Sequence, residues 1–145
     1  MKLRIAWIGK TRDASIQSLG SDYLARIARY IPAEAVEFAS EAALLKQLEK
    51  PPSRPFLVLL DSRGKQLSSE ELAEFLGGHQ DRGTQTMMLA IGPANGFSEA
   101  ARAAASFQLS LGKMTFAHEL ARVLLLEQVY RALTILKGHP YHLGH

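Results

Sequence analysis

Apolar positions along the chain alternate between short continuous runs and longer stretches at helical spacing. Leu3–Ile8 reads as a buried strand closed by Gly9. Ser15–Ile31 then places Ile16, Leu19, Tyr23, Leu24, Ile27 and Tyr30 at helical intervals, and Pro32 stops that helix. Val36–Ala39 predicts a second, short strand, and Glu41–Lys50 a helix with Leu44, Leu45 and Leu48 on one side. Pro51-Pro52-Ser53-Arg54-Pro55 suits neither a helix nor a central strand, so it reads as a connector. Phe56–Leu60 is a continuous apolar run, as in a parallel strand covered on both faces. Asp61 and the turn-prone Ser62-Arg63-Gly64-Lys65 follow it. Ser68 or Ser69 caps a helix that runs to about His79, with Glu70 and Glu71 near its positive end. Thr84–Ile91 predicts the next strand and Gly92-Pro93-Ala94-Asn95-Gly96 the loop after it. Ser98 caps a short helix, Glu99–Ala105, and Phe107–Leu111 predicts a fifth strand.

The stretch Ala117–Leu136 predicts the longest helix. Leu120, Val123–Leu126, Val129, Leu133, Ile135 and Leu136 spread around nearly its whole circumference. A helix of that kind needs burial on more than one side, part of it expected from a second copy of the chain. Gly138 ends the helix, and His139–His145 form a polar tail. Alternating strands and helices predict an α/β fold with a mostly parallel sheet flanked by helices. In such sheets ligands bind beyond the carboxyl ends of the strands, which gathers the loops Leu60–Lys65, Gly92–Gly96 and Leu111–Ala117.

Composition narrows the function classes. At 145 residues the chain is sized for one domain, residues 1–145. With 47% hydrophobic and 21% charged residues it is globular rather than disordered. It has no cysteine, which excludes disulfides, thiolate metal sites and cysteine nucleophiles. Mean hydropathy is −0.04, and Phe56–Leu60 and Val123–Leu126 are far too short to span a membrane. No signal peptide is recognisable at the N-terminus, so a cytoplasmic protein is expected. The net charge of +3 is modest, but its distribution is uneven. Residues 1–30 carry six Lys/Arg against two acids, and residues 100–145 carry five against two together with four of the five histidines. Brought together by the fold, these ends would make a surface attractive to a polyanion; scattered solvated charge is the other reading.

Several familiar sites are absent. Gly64-Lys65 lacks the earlier glycine and following Ser/Thr of a phosphate-binding loop, since Leu59 and Gln66 occupy those positions. No dinucleotide fingerprint follows the first strand, and no Gly-x-Ser-x-Gly elbow occurs. Gly92 and Gly96 flank a strand-end loop, either as a tight turn or as backbone open to a ligand. His139, His142 and His145 repeat every third residue, but a short tail without neighbouring acids is poorly preorganised for a metal, so none is expected. His118 and Arg122 share a face at the start of the last helix. They read either as an anion-binding pair at a helix N-terminus, or as a capping histidine and an arginine paired with Glu119.

Residues 109–142 carry a more specific pattern. Leu109-Ser110-Leu111-Gly112-Lys113-Met114-Thr115-Phe116-Ala117-His118 leads to Arg122-Val123, then to Glu127-Gln128-Val129-Tyr130-Arg131-Ala132, and ends with His139-Pro140-Tyr141-His142. With Met1-Lys2-Leu3, Gly9 and Leu60-Asp61-Ser62-Arg63-Gly64-Lys65, the sequence resembles the H-type large-subunit ribosomal RNA methyltransferases, in the SPOUT class of knotted methyltransferases. The resemblance spans essentially the entire chain. It implies a homodimer that transfers a methyl group from S-adenosylmethionine to N3 of a pseudouridine in 23S rRNA, with the ribosome as partner and the last helix tucked into a trefoil knot. It implies a cofactor site at Leu60, Gly92, Leu111, Gly112, Lys113, Met114, Thr115 and Phe116. Departures stand at Pro93, where the family has a second glycine, at Ala117, where it has proline, and at Leu143, where it has a basic residue.

Methyl transfer from a sulfonium depends mainly on alignment, and an imide nitrogen becomes a good nucleophile when its proton leaves. His142 and His118 are the candidates for that proton transfer, and Arg122 and Tyr141 for orienting the base or its phosphate. Spacing alone does not choose between the histidines. A non-catalytic ribosome-binding module and an enzyme of the same class acting on another RNA are the alternative readings.

Overall fold

The computed structural model describes residues 1–50 and 54–144; Pro51, Pro52 and Ser53 of the expected connector, and His145, lie outside the described residues. Strands and helices alternate: β1 (Lys2–Ile8), α1 (Ala14–Ile27), β2 (Ala33–Phe38), α2 (Glu41–Leu48), β3 (Phe56–Gln66), α3 (Ser69–Asp81), β4 (Thr86–Ile91), α4 (Glu99–Ala104), β5 (Phe107–Ser110) and α5 (His118–Leu136), with a closing 3-10 turn at His142–Gly144. The strands form one parallel sheet in the order β2-β1-β4-β3-β5.

Alternation along β4 shows how the sequence builds three layers. Met87, Leu89 and Ile91 point into a core shared with α1, α3 and α5, which includes Ile27, Leu76, Leu125 and Val129. Met88 and Ala90 point to the opposite core, shared with α2 and α4 through Leu44, Leu48 and Ala101. Each fully buried Leu or Met contributes about 1.5–3 kcal/mol, so both faces of the sheet are strongly held. Asp13, Ser40, Ser68 and Ser98 cap the first four helices with side-chain oxygens, and Ser68 completes a reciprocal capping box with Glu71.

Where boundaries differ from the sequence reading, ladder partners or chain reversal explain it. α1 stops at Ile27 because the N–H groups of Arg29 and Tyr30 reach back only three residues, turning Ile31 into the core ahead of Pro32. β2 begins at Ala33 because β1 offers partners from Leu3 onward. The expected turn at Ser62–Lys65 is instead part of β3. The pairing with β5 shifts between Leu60 and Lys65, so both oppose Leu109 across a bulge. Gly64 makes this possible: a Cβ there would stand 2.7 Å from the backbone of Gln108 and 2.8 Å from that of Leu109.

The apolar girth of α5 is largely satisfied within one chain. α1 and α3 both pack against it and bury Val123, Leu125, Leu126, Val129 and Leu133. Leu120 and Leu136 remain exposed. The tail is not the separate polar strand of chain its composition suggests, because the Tyr141 ring packs edge-on against Tyr130 at 4.7 Å.

Candidate active site

The stretch Leu60–Ser62 of β3, at its bulge, and the loops after β4 and β5 converge on a cleft of about 200 Å³. Leu60, Gly92, Leu111, Gly112, Met114, Thr115, Phe116 and His118 all line it. Lys113 is the exception in the predicted set: it stands exposed on the same loop without lining the cleft. Ser110 shapes that loop, accepting the Gly112 N–H at 3.1 Å and donating to the Gly112 carbonyl at 2.9 Å. A Cβ at Gly112 would meet nothing within 4 Å, so the space beside its backbone is open. Gly92 differs: a Cβ there would press on the Phe97 ring at 3.1 Å. Its missing side chain makes room for that core aromatic.

Asp61 lies at the edge of the cleft. Burial of its carboxyl favours the neutral form, but the Arg63 backbone N–H at 2.8 Å and the guanidinium groups of Arg63 and Arg102 outweigh it. Its carboxyl is therefore held below the usual carboxylate range, as an anion already matched by two cations.

α5 differs from the other helices at its start, where Ala117 supplies no side-chain cap. His118 opens the helix, half-buried at the cleft. Glu119 turns away and accepts the backbone N–H groups of Arg12 at 2.8 Å and Asp13 at 3.1 Å, with its carboxyl lowered chiefly by the Asp13 bond. Lys10, Arg12 and Lys113 are exposed on the loops that approach this turn, so the two basic ends of the chain do meet.

Arg122 does not occupy the role its spacing suggests. It is 1% exposed, and its guanidinium donates to Thr11 Oγ1 at 2.7 Å and to the Ile8 and Gly9 carbonyls at 3.0 and 3.4 Å. It also lies over the Trp7 ring at 5.2 Å. Neither anion recognition nor pairing with Glu119 describes this arrangement. The side chain is consumed in tying α5 to the end of β1, and burial lowers its affinity for a proton below the ordinary arginine value.

Tyr141 and His142 gather on another part of α5. The Tyr141 hydroxyl donates to Glu127 at 3.3 Å, and Arg131 covers its ring at 5.0 Å. Burial first, then a hydrogen bond with Tyr23, push its phenol well above the ordinary tyrosine range, so it acts as a neutral donor. His142 is held from both sides, by Glu70 at 2.7 Å and Arg131 at 3.1 Å. Tyr141 thus packs at Tyr130, roughly 18 Å along the helix from His118 at about 1.5 Å per residue, and His142 at the first turn of α3. Among the described residues no group of His, Asp and Glu side chains is arranged to hold a metal. The same residues contain no helix long and apolar enough to cross a membrane.

Sequence reasoning missed Ser110, Asp61 and Glu119. A serine two residues before a glycine was a readable signal for the first. Glu119 acts through N–H groups distant in sequence, and Asp61 through nearby Arg63 together with Arg102 of α4.

Comparison with known proteins follows the same lines. The family described as "Predicted SPOUT methyltransferase" matches residues 1–142. "Ribosomal RNA large subunit methyltransferase H" of Koribacter versatilis (strain Ellin345) is 56% identical over 146 residues, covering 100% of both chains. The protein of that name from Trichlorobacter lovleyi is 45% identical, covering 98% of this chain and 99% of its own. Among solved structures, the tRNA (m1G37) methyltransferase from Aquifex aeolicus aligns with a TM-score of 0.56 at 17% identity, over 90% of this chain and 70% of that one. A probable methylase family protein from Haemophilus influenzae Rd KW20 aligns at 0.59 with 11% identity, over 96% and 69%. Both likenesses concern the fold.

Proposed function

The chain belongs to the SPOUT methyltransferase family, and from that premise we propose that it transfers a methyl group from S-adenosylmethionine to N3 of a pseudouridine in 23S rRNA. In this reading residues 1–145 form one domain that works in the cytoplasm, on the assembled ribosome, as a homodimer. The observation that carries it is the cleft, where the bulged stretch of β3 and the loops after β4 and β5 meet beside His118. Its residues fit the proposed cofactor. Leu60, Leu111 and Phe116 offer apolar walls for a flat base, and the open space beside Gly112 exposes main chain to polar groups. Bound there, S-adenosylmethionine supplies an electrophilic methyl group on a sulfonium centre.

The chain's own residues supply the rest. Gly92, Leu111, Gly112 and Met114–Phe116 would hold the donor, and Lys113 faces the polyanion from the exposed side of its loop. His118 accepts the imide proton as the new carbon–nitrogen bond forms. Arg122 contributes by fixing the first turn of α5 rather than by touching RNA. In this reading the last helix is tucked into a trefoil knot.

Distance argues for two copies. Tyr141 packs on Tyr130, about 18 Å along α5 from His118 by helical rise, and in this reading the tail serves the cleft of the partner copy. Mixing two inactive forms tests this directly: one carries His118→Ala and the other lacks residues 141–145. Methyl transfer to ribosomes returns in the mixture if the tail completes the partner's site. Failure of the mixture to regain activity, with mixed dimers demonstrated, overturns the shared site.

A further inference from the structure

The attachment of His142 has a chemical consequence. Arg131 Nη1 is always a donor, so its 3.1 Å contact with Nδ1 makes that ring nitrogen the acceptor. The proton of the neutral imidazole is then on Nε2, and it points to the Glu70 carboxylate at 2.7 Å. Neither nitrogen is left to take a proton from substrate. In this position His142 serves to anchor the tail.

We propose that Glu70 is a positioning residue for methyl transfer: from the first turn of α3 it accepts the Nε2 proton of His142, whose tautomer Arg131 sets, and thereby fixes where Tyr141 is presented. The proposal rests on the tail's part in the reaction described above. Several features of the structure support it. Ser68 and Glu71 form a capping box that fixes the start of α3, so Glu70 projects from a rigid turn. Ser69 donates to Gln128 at 2.6 Å, which locks that turn to α5 beside the tail. Arg131 is itself held by Glu127, which also accepts the Tyr141 hydroxyl. The tail thus hangs between a carboxylate on α3 and an ion pair on α5. The Glu70 side chain is largely exposed, so this contact adds little to global stability and its effect falls on position.

His142 is faced by Glu70 from α3 and Arg131 from α5; Glu127 of α5 pairs with Arg131 and accepts the Tyr141 hydroxyl, and Tyr23 of α1 bonds to Tyr141. The test compares Glu70→Ala with Glu70→Gln, whose amide oxygen still accepts the Nε2 proton. Methyl transfer is measured at saturating S-adenosylmethionine and ribosomes, and the imidazole nitrogens are followed by 15N NMR in the free protein. Glu70→Ala is expected to lower kcat about tenfold or more, with the KM for S-adenosylmethionine and the melting temperature unchanged. Glu70→Gln is expected to restore most of that loss. A hydrogen-bonded, slowly exchanging Nε2–H resonance is expected in wild type and Glu70→Gln, and in Glu70→Ala it is lost to exchange with water while Arg131 keeps the same tautomer. Wild-type kcat in Glu70→Ala, or equal loss in both variants, overturns the proposal. The NMR readout does not depend on activity. A wild-type protein that shows this Nε2–H resonance but methylates nothing contradicts the assigned reaction, whereas an unchanged Nε2–H resonance in Glu70→Ala contradicts the role of Glu70.

Discussion

Replacing Arg122 with methionine separates a structural arginine from a catalytic one. Methionine fills much of the same apolar volume but cannot donate to the Ile8 and Gly9 carbonyls at 3.0 and 3.4 Å or to Thr11 Oγ1 at 2.7 Å. Losing a hydrogen bond from a charged donor to a buried carbonyl costs about 1.5 kcal/mol, so the two carbonyls together give about 3 kcal/mol. Part of this is offset, because the guanidinium is buried and its Nε has no partner among the described residues, a desolvation cost that methionine removes. A net loss of about 2–3 kcal/mol corresponds to a fall in Tm of roughly 6–12 °C for a chain of this length. The assay is thermal unfolding at fixed protein concentration, paired with methyl transfer at a temperature well below both midpoints. Turnover per folded molecule should fall less than about tenfold, mostly through weaker cofactor binding as the first turn of α5 loosens. An unchanged Tm with turnover abolished would refute this reasoning and return Arg122 to the substrate.

Gly64→Ala forces a Cβ against the backbone of Gln108 and Leu109, where no side chain can swing aside, and should cost about 3 kcal/mol in urea unfolding; an unchanged midpoint would mean that β3 and β5 are not this close. Gly92→Ala should lose stability through the Phe97 ring, so a double-mutant cycle with Phe97→Leu should show coupling, whereas strictly additive costs would point to another cause. His79 is buried, bonded to Thr84, and held below its ordinary 6.5 by burial first and by the Arg82 charge second. The unfolded chain therefore binds more protons, and stability present above pH 6.5 should decline as the pH falls below it; equal slopes for wild type and His79→Phe between pH 6.5 and 5 would contradict this.

Much of this fold is legible because parallel strands buried on both faces leave continuous apolar runs, and four helices begin at Asp or Ser caps. Phe56–Leu60 and Ser98 are clear examples. β2 was less legible because edge pairing with β1 tolerates the polar Glu34 and Glu37. The bulge at Gly64 was invisible because its cause is the backbone of β5, more than forty residues onward. At the site, loop positions from Leu111 to Phe116 followed from strand order and from the resemblance. The role of Arg122 did not follow, since i,i+4 spacing with His118 says which face it occupies but not whether that face is buried. Gly92 carries a related lesson: a glycine in a ligand loop can be there for a core ring.

Methyl transfer onto ribosomes that lack the modification, prepared with and without pseudouridine at the target, puts the assigned reaction to the test. The purified protein and labelled S-adenosylmethionine should place one methyl group at N3 of the pseudouridine in 23S rRNA, and only the pseudouridine-containing ribosomes should accept it. Equal labelling of both preparations, or labelling of neither, would contradict the account.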